Sequence, residues 1–179
     1  TSADVGKVIS ITGAGSGGAS GFTTTIASVV SATQVTLASS SSQAIASGGG
    51  YVYGTDDTGA IQAAINYLGS VNGGTAYFPN GYYVVNGALQ ETALSNAQIV
   101  LPKITPVNTG LSLRLAGDTP PGMTWASEKG AIIESTLTTG PGAVIGVQNT
   151  GGSASRIAFY ADNLTIRTPQ NSPNIGLDM

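Results

Sequence analysis

Residues 53–85 read YGTDDTGAIQAAINYLGSVNGGTAYFPNGYYVV, and the fold is decided in this stretch. Ile61, Ala64, Ile65 and Leu68 recur at i, i+3, i+4 and i+7, the spacing of one apolar stripe on an α-helix, while Gln62, Asn66 and Tyr67 point elsewhere. Asp56, Asp57 and Thr58 mark its start, because short oxygen-bearing side chains accept from the orphan amides of a first turn and negative charge suits a helix N-terminus. Gly69 is the expected stop, which gives a helix over 57–68. Behind it Asn72-Gly73-Gly74 forms a turn, Thr75–Phe78 a strand, Pro79-Asn80-Gly81 a second turn and Tyr82–Val85 a second strand.

The pattern YGTDDTGAIQAAIN…GGTAYFPNGYYVVNG resembles the opening of the pectate-lyase-like, single-stranded right-handed β-helix family. That opening is shared by polysaccharide-degrading enzymes and by bacteriophage tailspike and tail-fibre proteins. The likeness covers Tyr53 to about Gly87 and extends only loosely beyond, through strand-like runs. It implies a fold and leaves the activity open, since one fold hosts many functions.

Composition agrees with a stacked β structure. Charged residues make up 8% of the 179, against roughly 25% in ordinary globular chains, and glycine at 26 residues is about double its usual share. Low charge with 41% apolar content is the opposite of the disordered signature. Cysteine and histidine are absent, which excludes disulfides, thiol catalysis, His-dependent triads and most zinc sites from this segment. A net charge of −3 with six scattered basic residues leaves no nucleic-acid footprint. No apolar run approaches the roughly 18 residues of a membrane span, and no G-x-G-x-x-G leads from strand to helix, so no nucleotide site or other cofactor is called for.

Between Lys7 and Asp56 there is no charged residue. Val8–Thr12, Phe22–Ile26 and Gln34–Leu37 read as strands, 13–21 as a Gly/Ser loop, 31–33 as a hairpin turn and 39–50 as a linker. Residues 1–50 are thus expected to form a small β-module, either covering the open N-terminal end of the following stack or adapting a tail protein to its particle.

Residues 51–179 are expected to be the helix-capped start of a right-handed parallel β-helix. Short β-prone runs recur at Ile99–Leu101, Leu111–Leu115, Ala131–Ile133, Ala143–Val147, Ile157–Tyr160, Leu164–Ile166 and Ile175–Leu177, separated by turn residues. Within them, Leu111, Leu113 and Leu115 face inward with Ser112 and Arg114 outward, and Leu164 and Ile166 face inward. The helix would seal one end of this stack. Thr1 is no initiator methionine and nothing closes the stack after Ile175–Leu177, so an N-terminal fragment of a longer protein is expected.

For chemistry, glycoside hydrolysis needs two carboxylates flanking the bond. The candidates are Asp118, Glu128, Glu134 and Asp162, with Arg114, Lys129, Arg156 and Arg167 as partners. Glu134 and Asp162 are the catalytic candidates, with turn formation for Asp162 and an outward surface position for Glu134 as the plainer readings. Asp56 and Asp57 are explained as helix caps. Trp125, in a long loop near Pro120, Pro121 and Met123, is the substrate-binding candidate, against packing of that loop onto the coil. Tyr77, Phe78, Tyr82 and Tyr83 are expected in the core or against the helix. The resemblance implies a homotrimeric virion tail protein that recognises bacterial cell-surface polysaccharide, with other tail proteins as partners. Its alternative is a secreted polysaccharide lyase or glycoside hydrolase whose catalytic residues lie in coils outside this segment.

Overall fold

A computed structural model describes residues 1–18, 20–45, 50–91, 96–102, 111–118, 130–137, 142–147, 158–168 and 175–178. Among the described residues the protein is mainly β, with one α-helix and several sheets. The first sheet is antiparallel, ordered β3-β2-β1-β4, from β1 (Val8–Ile11), β2 (Phe22–Ser31), β3 (Gln34–Leu37) and β4 (Tyr51–Gly54). Strand β4 pairs with β1, Val8 opposite Gly54 and Ile11 opposite Tyr51, so the module's hydrogen bonding crosses the expected boundary at residue 50.

Helix α1 (Thr58–Ser70) comes next, followed by β5 (Gly73–Phe78), β6 (Gly81–Val85), β7 (Gln90–Glu91) and β8 (Asn96–Leu101). The remaining strands are β9 (Ser112–Gly117), β10 (Ala131–Ser135), β11 (Ala143–Val147), β12 (Ala158–Asp162), β13 (Leu164–Arg167) and β14 (Ile175–Asp178). They form three sheets ordered β12-β9-β5, β13-β10-β6 and β14-β11-β8-β7, parallel except for the short β7–β8 pair. The chain visits the three sheets in rotation, and each visit lays a strand beside the preceding one.

One core serves all three sheets. Phe78, Leu113 and Leu115 from the first, Val85 and Ile133 from the second, and Ile99, Leu101 and Ile145 from the third meet in a single cluster with Ile61, Ile65 and Leu68 of α1. Register keeps like on like: Tyr83, Ile133 and Ile166 stand in line, as do Ile99, Ile145 and Leu177. The expected alternation holds where it is described, with Leu111, Leu113 and Leu115 buried and Ser112 and Arg114 exposed. Gln98 pins a corner between two sheets, its amide donating to the carbonyls of Val85 and Gly87 while its oxygen accepts from Ser135 Oγ.

The helix differs from the expectation in three respects. Ala64 is exposed, so the buried stripe is Ile61, Ile65, Leu68 and Gly69. Gly69 does not end the helix, which runs on to Ser70; it is small because Pro102 packs on it, and a Cβ there would lie 2.6 Å from Pro102 Cγ. Gln62, expected to point elsewhere, reaches β8 and exchanges two hydrogen bonds with the Val100 backbone, both 2.8 Å. Its side-chain amide thereby acts as a strand partner for a backbone that would otherwise be left open.

The cap is also built differently. Asp57 sits at the N-cap without a side-chain capping bond. Its backbone amide donates to Val84 O at 2.8 Å and its Oδ2 accepts from Val84 N at 3.2 Å. Burial raises the Asp57 pKa from its ordinary value, the Val84 amide opposes this, and Asp56 adds to it. Asp56 Oδ1 takes the Thr58 amide at 3.0 Å and the Asn86 amide at 3.2 Å, and Thr58 Oγ1 takes the Asn86 and Gly87 amides at 3.0 and 2.9 Å. These three residues clamp the edge of β6 as well as starting a helix. Strands β5, β6 and β8 each stand at or next to the edge of their sheet, so α1 and its first turn close that end of the core.

A consequence is measurable. Thr58→Val keeps the shape and removes the acceptor of two amides, and it should cost about 1–2 kcal/mol in denaturant unfolding. Asp57→Asn, which keeps an acceptor, should cost less.

The β-module also meets the parallel body. Thr23 Oγ1 donates to Thr136 O just after β10, and Gly54 packs against Val84, a Cβ there falling 2.7 Å from Val84 Cγ2. The module thus lies against the β13-β10-β6 sheet, reaching its edge strand β6. Among the described residues no helix is long and apolar enough to cross a membrane.

Candidate functional site

Outward-facing positions of the parallel sheets carry the chemistry, since the inward ones are filled by aliphatic residues. On the β12-β9-β5 face two rows stand side by side in register: Thr75, Arg114, Tyr160, and then Tyr77, Ala116, Asp162. Arg114 forks onto Asp162, Nε to Oδ1 at 2.7 Å and Nη2 to Oδ2 at 2.6 Å. Tyr77 donates to Asp118 Oδ1 at 2.7 Å. Tyr77 and Tyr160 are both more than half exposed, on either side of the small Ala116. From strand spacing and rise their Cα atoms stand about 12 Å apart. The face thus offers two aromatic platforms with a charged pair between them.

The guanidinium bond holds the Asp162 carboxyl below its ordinary value, and Asp162 in turn raises Arg114; the Asp118 bond raises the Tyr77 phenol. Held by the guanidinium through both oxygens, Asp162 is arranged to accept hydrogen bonds. Because its folded value is depressed, the pair's stabilisation is present above the unfolded aspartate value, ordinarily 3.8, and is lost as the pH falls through the folded one. Arg114→Gln should therefore narrow its stability difference from the wild type as the pH drops from about 5 to about 2, followed by thermal unfolding.

The second catalytic candidate, Glu134, faces outward from β10 and is nevertheless 5% exposed. Directly paired Arg167 on β13 donates through Nη2 to Glu134 Oε2 at 2.6 Å. The flanking module supplies the cover: Tyr51, Val52 and Tyr53 of β4 line a cavity of about 290 Å³ with Tyr82, Glu134 and Arg167. The Arg167 guanidinium lies 5.8 Å from the centre of the Tyr82 ring, and Lys7 Nζ 5.7 Å from that of Tyr53.

Glu134 and Asp162 lie in different sheets, each joined to its own arginine, so the structure does not bring them together as a carboxylate pair in one sheet. Trp125, Glu128, Lys129 and Arg156 lie outside the described residues. Among the described residues no group of three acidic side chains gathers to hold a metal ion. Phe78 and Tyr83 pack edge to face, centroids 5.2 Å apart, as expected of core aromatics. Tyr77 and Tyr82, expected in the core with them, are exposed instead. The signal was there in the two-residue period: in Tyr77-Phe78 and Tyr82-Tyr83 the neighbours must face opposite ways. No family model, curated protein or solved structure matches this chain.

Proposed function

We propose that the chain is the N-terminal portion of a β-helix protein of the phage tailspike or tail-fibre kind, acting in virion attachment and in recognition of bacterial surface polysaccharide. In this reading the three sheets are the faces of a right-handed β-helix, α1 is its cap and the flanking antiparallel module is its attachment element. The rotation of the chain through three parallel sheets around one core supports the fold. The exposed Tyr77 and Tyr160 around the Arg114–Asp162 pair carry the function, because aromatic faces stack on sugar rings while a carboxylate and a guanidinium hydrogen-bond to hydroxyls.

The reading is one of binding by these residues, since Arg114 holds both Asp162 oxygens and Glu134 lies in a different sheet. The test is retention of the purified protein by capsular and lipopolysaccharides from a panel of bacteria, with light scattering to count subunits. Retention by one polysaccharide, weakened at least about tenfold in Tyr77→Ala and Tyr160→Ala and accompanied by a trimer mass, is the expected outcome. Unchanged retention in both variants, or release of shortened oligosaccharide dependent on Asp162, would overturn it.

A further inference from the structure

We infer that the cleft between β4 and the β13-β10-β6 sheet is a second binding site, one that takes a single neutral sugar ring through a vicinal diol. It is independent of the Tyr77–Tyr160 face, lying on a different sheet. Its volume of about 290 Å³ lies at the lower end of ligand pockets and suits one ring. At its floor stands Glu134, 5% exposed, whose carboxylate has Arg167 as its partner among the described residues, on Oε2. That bond leaves Oε1 to accept from a donor brought by a ligand, beside Arg167 Nε, a buried donor with no hydrogen-bond partner among the described residues.

The rest of the lining selects the ligand's class. A cation is disfavoured, because it would meet the Arg167 guanidinium that lines the cleft. An anion would meet the Glu134 carboxylate. A neutral diol meets neither objection: one hydroxyl donates to Glu134, its neighbour accepts from Arg167, and the ring's C–H face lies on tyrosine. Tyr51, Tyr53 and Tyr82 supply that surface, each about half exposed or more. The module contributes Tyr51, Val52 and Tyr53 and the parallel body the other three residues, so an occupant touches both. By linkage it must tighten the module's seat on the sheet to the same extent that the seated module tightens its binding.

Calorimetry and saturation-transfer NMR with the methyl glycosides of glucose, galactose and mannose test the site, with methyl glucuronide and tetramethylammonium as charged probes. Saturable millimolar binding of a neutral glycoside is expected, weakened at least about tenfold in Glu134→Gln. Tyr82→Ala, a change at an exposed position, should weaken it as well and decides the matter if Glu134→Gln fails to fold. Tyr160→Ala should leave it unchanged, which separates this site from the polysaccharide face. Slower hydrogen exchange across 51–54 on saturation is the sign of coupling. Absence of glycoside binding, binding indifferent to both variants, or preference for either charged probe would overturn the proposal.

Discussion

Alanine at Gly73 is expected to destabilise the protein by about 4 kcal/mol, the sum of backbone strain and overpacking. Gly73 opens β5 with φ at 123°, a conformation an L side chain rarely adopts. A Cβ there would also fall 2.3 Å from the carbonyl oxygen of Ser112, its paired residue on β9. Both partners are backbone, so neither can swing aside without spreading the first parallel pair. Thermal unfolding followed by circular dichroism should show the midpoint falling by roughly 10 °C. Gly59→Ala is the control: it lies in α1 with nothing within 4 Å of its Cβ, and it should raise stability by about 0.5 kcal/mol through helix propensity. A Gly73 variant as stable as the wild type would mean that the β5–β9 approach is looser than described.

The second large effect belongs to Arg167. Arg167→Met leaves the Glu134 carboxylate buried without its cation, and breaking a buried pair from one side costs about 3 kcal/mol. The lower end of the usual range applies because the Arg167 side chain is 31% exposed. The double variant Glu134→Gln, Arg167→Met should recover more than half of that loss, since the charge needing a partner is gone. Arg114→Met makes the contrast: its pair with Asp162 lies open to solvent, where ion pairs contribute little. Equal losses in Arg167→Met and Arg114→Met would show that the module does not shield Glu134.

Much of the architecture was legible in local pattern. The i, i+3, i+4, i+7 stripe located α1, the bounding turn residues located β5 and β6, and period-two alternation gave β9 its inward set of Leu111, Leu113 and Leu115. These are consequences of geometry that each segment carries by itself. Strand β4 carries no such signal, because Tyr51-Val52-Tyr53-Gly54 is short and follows a Gly/Ser linker, and only its pairing with Val8–Ile11 makes it a strand. Gln62 and Gln98 were passed over for a similar reason, since a polar side chain shows no sign in sequence that it will complete another segment's backbone bonds.

The site divides along the same line. Sequence by itself determined which residues could bear chemistry and that Glu134 faces outward beside Ile133 and Arg114 between inward leucines, whereas Asp162, read as a turn residue, is the last residue of β12. It could not determine pairing, because Arg114 and Asp162 are 48 residues apart and Glu134 and Arg167 are 33 apart, distances bridged only by register between strands of successive circuits. Nor could it determine burial. Glu134 and Arg114 are both outward on neighbouring sheets, yet one is buried in the cleft beside Tyr51 and Tyr53 and the other stands in solvent. The difference is where the β-module docks, and docking is a property of two assembled surfaces, which no local pattern of residues contains.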